Sequence, residues 1–268
     1  MFGLIPRVVW MKWFPGEGPD AIDAQNRMPL EQNSLLLERE GKLVVVEVGI
    51  GDKMSAKERG MYEQADGGIH AALGAIGCDA RDVSAVVVTH LHFDHAGGLT
   101  RRGADGSAVL TFPNAEIITQ RTEWEDALAN KSTMHKKYLR DHLGPQVAER
   151  VRLVEGEAEV LPGIRVVPMA GHTWGQQGVV IQTGTGPVCF VPDVMPTKRH
   201  CRPTCNMSYD VEPYTSMLSR EAMLSRAHAE GWTLVLDHEP GWPVFRVERD
   251  EERGGWGLVE SDTAIKRK

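Results

Sequence analysis

Apolar residues along this chain form short β-branched runs that alternate with segments of helical spacing. Residues 34–38 and 42–48 are apolar runs on either side of Arg39-Glu40-Gly41, which predicts a β-hairpin. Residues 83–89, with the sequence VSAVVVT, predict a buried strand. Similar runs predict further strands at 115–120, 151–154, 163–168, 178–182, 187–192 and 232–236.

Helices are predicted between these strands. Residues 65–77 place Ile69, Leu73 and Ile76 on one helical face. The sequence TEWE at 122–125 has the pattern of a capping box, which would open a helix there. Helical spacing also predicts helices from 134 to about 145 and over 215–230.

The alternation of strands and helices predicts an α/β sandwich with two sheets inside. No stretch resembles a linker, so residues 1–268 are predicted to form a single domain. Residues 1–30 contain four prolines and are expected to be extended, with loops. The tail from about 250 is charged and glycine-rich, and we expect only part of it to be ordered.

Composition narrows the choice of partners. A net charge of −7 weighs against a nucleic-acid partner, because phosphate binding needs a basic face. No segment approaches the roughly 20 apolar residues that span a bilayer, and no signal-peptide pattern is visible. We therefore expect a soluble, cytoplasmic protein with no membrane contact. The apolar Val8-Val9-Trp10 raises the hypothesis of a homodimer contact.

Four cysteines are scattered along the chain, and two of them, Cys201 and Cys205, frame the sequence CRPTC. This resembles half of a zinc knuckle, but no second Cys/His pair follows nearby. Unpaired thiols are therefore predicted there, in preference to a disulfide.

The densest chemical feature is the run His90-Leu91-His92-Phe93-Asp94-His95, which follows the predicted strand 83–89. Ten histidines in 268 residues would place less than one in a window of this size, so chance explains the run poorly. Neutral imidazole and carboxylate are preferred ligands of borderline metals such as Zn²⁺. The run therefore predicts a metal site.

Three further polar residues stand where predicted strands end. They are His172 in GHTWG, Asp193 in FVPD and His238 in LDHEPG. The carboxyl ends of strands are where α/β folds commonly place their sites. Together with the run at 90–95, these residues make a set of histidines and aspartates that suits two adjacent ions.

These motifs are similar to those of the metallo-β-lactamase superfamily. HLHFDHAGG at 90–98, GHTWG at 171–175, Asp193 and His238 occur in the family's order. The resemblance runs from about 34 to 241 and implies a four-layer αββα sandwich with a metal site at the sheet edge. It assigns His90, His92 and His172 to one ion, Asp94, His95 and His238 to the other, and Asp193 to a bridge between the two.

Glu47 stands where the family usually has an aspartate. The resemblance implies that its carboxylate supports the histidine loop by hydrogen bonding. The expected ions are two divalent metals, with zinc as the first choice, and Mn, Fe or Co suit the same ligands.

The arrangement that the resemblance implies is suited to hydrolysis. Two cations roughly 3.5–4 Å apart lower the pKa of a bridging water toward neutrality and polarise a substrate oxygen. Asp94 could accept the nucleophile's proton and return it to the leaving group. The oxygen-reducing di-iron branch usually has an acidic residue at the position of His92 and a fused flavodoxin module, and neither is present here.

The flanking segments IITQRTEWEDA at 117–127 and EVLPGI at 159–164 resemble the branch of N-acyl homoserine lactone lactonases. This implies a quorum-quenching enzyme that opens small lactones or similar esters. Many such enzymes place a tyrosine three residues after the bridging aspartate, where this chain has Pro196. Tyr209 or Tyr214, in the following loop, could take that catalytic role instead.

Other functions remain open from the sequence. A thioesterase of glyoxalase II type usually has a second histidine where this chain has Gln176, together with a helical tail that is not recognisable here. A phosphotriesterase or phosphodiesterase would use the same metals. A binding protein that kept the metal site but lost turnover is the alternative outside enzymes.

Overall fold

The computed structural model describes residues 3–15, 22–132, 137–251 and 254–262. Its chain divides into two compact units. We call Ser34–Gly156 the motif unit, because it contains the run at 90–95. We call Met1–Asn33 with Glu157–Arg267 the carboxylate unit, because it contains Asp193.

The motif unit is built on a five-stranded sheet and also contains a short two-stranded sheet. Its strands are β1 (Leu35–Arg39), β2 (Lys42–Val46), β3 (Val83–Val87), β4 (Thr100–Arg102), β5 (Ala108–Leu110), β6 (Glu116–Gln120) and β7 (Val151–Val154).

The large sheet has the order β1-β2-β3-β6-β7, and β2, β3, β6 and β7 run parallel. Central parallel strands are buried on both faces, which is why β3 is almost entirely valine and alanine. Its carboxyl end leads straight into the histidine run, with Leu91 in the buried core.

The carboxylate unit is built on a seven-stranded sheet of order β14-β13-β12-β11-β10-β9-β8. Its strands are β8 (Ala158–Leu161), β9 (Ile164–Pro168), β10 (Gln177–Thr183), β11 (Gly186–Val191), β12 (Thr233–Leu236), β13 (Val244–Asp250) and β14 (Gly255–Glu260).

The direction of three strands in this sheet brings the predicted ligands to one edge. β11 and β12 are parallel, so Asp193 and His238, which follow them, lie side by side. β9 also ends at that edge, because β9 and β11 are each antiparallel to β10. His172, in the β9–β10 connection, therefore joins the other two.

Seven α-helices lie within the described residues. They are α1 (Arg7–Trp13), α2 (Ala56–Tyr62), α3 (Ile69–Ala75), α4 (Phe93–Ala96), α5 (Arg121–Leu128), α6 (Pro145–Ala148) and α7 (Pro213–Glu230). The longest, α7, buries Met223, Leu224 and Ala227 in the core of the carboxylate unit.

The hairpin, the central strands and the long helix agree with the sequence predictions, and several local predictions are wrong. The predicted capping box is absent, since α5 begins at Arg121 with Gln120 as N-cap and no side-chain cap bond. In place of the helix predicted from 134 to about 145, the described part contains a 3₁₀ turn at Arg140–Leu143, followed by α6. Residues 134–136 of that prediction lie outside the described ranges.

Both ends of the chain contain more structure than their composition indicated. Residues 1–30 include α1, whose N-cap is Pro6, so a proline that suggested extended chain instead starts a helix. Trp10 is fully buried, and its ring lies against the rings of Phe14 and His200 of its own unit. The glycine-rich tail contains β14, which pairs in register with β13.

Among the described residues, no helix is both long and apolar enough to cross a bilayer.

Candidate metal centre

The histidine run lies in the loop after β3 and in α4. Nε2 of His90 and Nδ1 of His92 are 3.1 Å apart. Two nitrogens on one tetrahedral zinc ion, each about 2.05 Å from the metal, lie about 3.3 Å apart. The two rings therefore already stand in the relationship that a shared ion requires.

Glu47 orients the ring of His95 through its Nδ1 atom. Its Oε2 atom accepts a hydrogen bond from Nδ1 of His95 at 2.8 Å, and its Oε1 atom accepts one from the backbone N–H of Thr89. Glu47 is buried and has a φ of 64°, a left-handed conformation that costs a residue with a side chain about 1–3 kcal/mol. The fold maintains this strained residue where its carboxylate supports the loop, as expected from the sequence.

Asp94 lies in the first turn of α4, with its Oδ2 atom 3.8 Å from Nε2 of His95. Its side chain is 24% exposed, whereas His90, His92 and His95 are buried. Within the motif unit, Asp94 is therefore the member of the run that solvent and a small molecule reach most easily.

In the carboxylate unit, Asp193 lies between two histidines. Its Oδ2 atom is 3.0 Å from Nε2 of His172, and its Oδ1 atom is 3.1 Å from Nε2 of His238. One carboxylate thus serves two imidazoles through separate oxygens, with all three side chains buried.

The outer nitrogens of both histidines are fixed by acceptors. Nδ1 of His172 donates to Oδ1 of Asp210 at 3.0 Å, and Nδ1 of His238 donates to the carbonyl of Glu31 at 2.7 Å. Each ring therefore directs its Nε2 atom toward Asp193. Such outer partners set the tautomer and orientation of metal-binding histidines.

The charges around Asp193 call for a cation. Burial by itself would lower the pKa of His172, but Asp193 and Asp210 raise it to about 9. Burial would raise the pKa of Asp193, but His172 and His238 hold it well below its usual range. A neutral ring would face the carboxylate lone pair to lone pair at 3.0 Å, unless a proton or a metal ion lies between them.

These donors fit divalent metal ions. The set consists of imidazoles with fixed outer nitrogens and of carboxylates, which are the ligands that zinc and similar metals prefer. The described residues thus bring together His90, His92, Asp94 and His95 in one unit, and His172, Asp193 and His238 in the other. Imidazole and carboxylate ligands suit Zn, Mn, Fe and Co.

Sequence reasoning missed two acidic residues near this set. Asp210 was not predicted, because it lies 38 residues from His172, which it contacts. Asp237 is buried, and a carboxylate oxygen of it lies within 4.8 Å of the ligand atoms of Asp193 and His238. Its position directly before His238 was a signal that could have been used.

The remaining predicted residues are placed as follows. The ring of Tyr209 lies 5.8 Å from that of His172, edge to face. Tyr214 lies on α7 and is 70% exposed. Cys201 and Cys205 are both buried and unpaired, as predicted.

Comparison with known proteins agrees with this chemistry. The chain matches the family model described as Metallo-beta-lactamase superfamily over residues 27–238. An N-acyl homoserine lactonase of Bacillus cereus is 30% identical over 236 residues, which cover 85% of this chain and 81% of that protein. Another, from a Bacillus species, is 35% identical over 129 residues, which are 48% of this chain and 45% of that protein. The latter match therefore spans less than half of the relative's length.

The fold is shared with solved structures. A Staphylococcus aureus structure, described as a probable metal-dependent hydrolase, has a TM-score of 0.82 and 25% identity, and covers 99% of this chain and 92% of its own. The family model and this structure confirm the predicted fold class, the metallo-β-lactamase fold. The chain belongs to the metallo-β-lactamase superfamily.

Proposed function

We propose that this protein is a hydrolase with two divalent metal ions that opens lactone rings, with N-acyl homoserine lactones as the first substrate class to test. In this proposal zinc is the expected metal. The ligands follow the family resemblance, with Asp193 shared between the ions. The first ion takes His90, His92 and His172, and the second takes Asp94, His95 and His238.

One observation carries the proposal. The two oxygens of Asp193 face two different imidazoles, at 3.0 Å and 3.1 Å, and both imidazoles have their outer nitrogens fixed elsewhere. A carboxylate that served one ion would not need a histidine on each oxygen. The spacing of His90 and His92 at 3.1 Å supports a shared ion in the motif unit as well.

The reaction follows from what these residues can do. When bound, the two ions would supply positive charge that activates water and polarises the ester carbonyl. Asp94 is the accessible carboxylate of the run, so it is placed to accept a proton and to return it to the ring oxygen as the ester bond breaks. Glu47 and Asp210 hold His95 and His172 in the required tautomer.

The lactone is favoured over other esters by the relatives. Proteins named N-acyl homoserine lactonase align with 85% of this chain in one case and with 48% of it in another. No described feature of the chain favours a thioester or a phosphotriester to the same degree.

A substrate panel tests the proposal. Metal-stripped and zinc-loaded protein would be assayed with an N-acyl homoserine lactone, an acyl thioester and a phosphotriester. We expect hydrolysis of the lactone by the zinc-loaded form alone, with kcat/KM above the values for the other two. Faster turnover of the thioester or phosphotriester would replace the lactonase proposal, and two bound ions without turnover of any ester would support the binding protein.

A further inference from the structure

The peptide groups of Leu91, between His90 and His92, are held from both sides. The backbone N–H of Leu91 donates to Oε1 of Glu123 at 2.8 Å. The backbone carbonyl of Leu91 accepts from Nε2 of His142 at 3.0 Å. Glu123 and His142 are both fully buried, and the metal chemistry proposed above uses neither.

Both partners come from the segment after β6. Glu123 lies on α5 and His142 in the 3₁₀ turn Arg140–Leu143. Tyr138, between them, donates to Oε1 of Glu123 at 3.4 Å, and its ring lies 5.1 Å from the ring of His92. The carbonyl of Lys137 accepts from the backbone N–H of Phe93 at 2.8 Å. The loop that contains the histidines is thus fixed along its backbone by one segment.

Nε2 of His142 must be the hydrogen-bond donor to the carbonyl of Leu91. Burial lowers its pKa to about 3, so the ring is neutral at physiological pH. A neutral ring carries one N–H, and the carbonyl of Leu91 requires it on Nε2. Within the described residues, Nδ1 of His142 has no hydrogen-bond partner, so this ring serves the Leu91 carbonyl alone.

We propose that Glu123 and His142 are positioning residues that set the separation of His90 and His92 before a metal ion arrives. Leu91 is the only residue between the two histidines, so rotation of its backbone changes the distance between their ring nitrogens. Fixing its N–H and its C=O removes that rotation. A preorganised ligand pair loses less conformational freedom on binding, and this strengthens the affinity for the ion.

This inference rests on the proposed metal centre, and its test measures zinc binding separately from activity. Zinc affinity would be measured by competition with a chromophoric chelator for wild type, His142→Leu and His142→Gln. Glutamine retains an N–H donor near the position of Nε2, whereas leucine has none. The matched control is Val147→Ala, which shortens a fully buried apolar side chain on α6 and leaves both hydrogen bonds to the Leu91 backbone in place.

We expect the dissociation constant of at least one zinc ion to rise about 10–100-fold in His142→Leu, and to stay within about threefold of wild type in His142→Gln and Val147→Ala. Equal zinc affinity in His142→Leu and wild type would overturn the inference. So would an equal loss in Val147→Ala, because a general loss of packing would then explain the effect.

Two further outcomes are distinguishable. If His142→Leu does not fold, the pair Glu123→Gln and Glu123→Ala asks the same question at the N–H of Leu91, since glutamine keeps an acceptor oxygen. Weaker zinc binding in the alanine variant alone would support the inference, and equal binding in both would overturn it. If wild type binds no zinc, the proposed function fails, whatever the variants do.

Discussion

Oδ1 of Asp210 lies 3.0 Å from Nδ1 of His172, and this pair fixes which nitrogen of His172 faces Asp193. The carboxylate of Asp210 is itself held, because its Oδ2 atom accepts from the backbone N–H of Met207 at 3.2 Å. A histidine ligand whose outer nitrogen donates to a carboxylate is both oriented and made more basic.

Removal of this carboxylate should weaken metal binding. We expect Asp210→Ala to raise the dissociation constant for zinc about 10–100-fold, and Asp210→Asn, which keeps an acceptor oxygen, to have a smaller effect. A chelator competition measures both. Unchanged zinc affinity in Asp210→Ala would contradict the orienting role.

Loss of the shared carboxylate should be more severe. Asp193→Ala removes both oxygens that face His172 and His238, so we expect zinc affinity to fall by more than about 100-fold and hydrolysis to be lost with it. Elemental analysis and a lactone assay on the same preparation are the measurements. A variant that kept its activity would rule out a bridging role for Asp193.

The candidate ligands that could be predicted from the sequence lie in a contiguous motif or directly follow predicted strands. His90 to His95 are visible in six residues, and His172, Asp193 and His238 follow apolar runs. Asp210 and Glu123 were not predicted, because each reaches its partner across more than thirty residues through a fold that composition does not encode. The histidines indicate a metal site from the sequence alone. The residues that orient them through hydrogen bonds are recognisable only in the three-dimensional structure.

Among the secondary-structure predictions, those of the buried strands were correct and those of two helix starts were wrong. Runs of valine and isoleucine predicted the central strands, because a buried strand has few other compositions. The start of α5 was predicted wrongly, since TEWE has the letters of a capping box, while the helix begins earlier, at Arg121. Pro6 suggested extended chain but stands at the N-cap of α1.

His142 should leave a signature in the pH dependence of stability. Burial lowers its pKa in the folded protein to about 3, below the unfolded value of about 6.5. Between these values the unfolded chain binds a proton that the folded one does not, so acidification from pH 6.5 toward 3 destabilises the fold. Above pH 6.5 the ring is neutral in both states, and none of this stability is lost.

The measurement is the free energy of unfolding of metal-free wild type and His142→Gln across this range. We expect the difference between the two proteins to change by up to about 1.4 kcal/mol per pH unit, with wild type losing more stability on acidification. Parallel pH profiles would show that His142 is not buried in neutral form.

Arg220 should be the main stabilising side chain of the loop between β11 and α7. Its Nη1 atom donates to the carbonyls of His200 and Cys205, each at 2.6 Å, and its Nη2 atom donates to the side chain of Asn206. Because Arg220 is buried, Arg220→Met would leave these acceptors unpaired away from water, and we expect a loss of about 2–4 kcal/mol. Denaturant unfolding of the metal-free variant measures this, and a loss below about 0.5 kcal/mol would contradict it.

We propose that two ions act together in hydrolysis, and a zinc titration of metal-stripped protein tests this most directly. Bound zinc and hydrolysis of an N-acyl homoserine lactone are measured in the same samples. We predict that binding saturates at two ions per chain and that most of the activity appears with the second ion. Full activity with one ion bound, or no activity with two, would contradict the account.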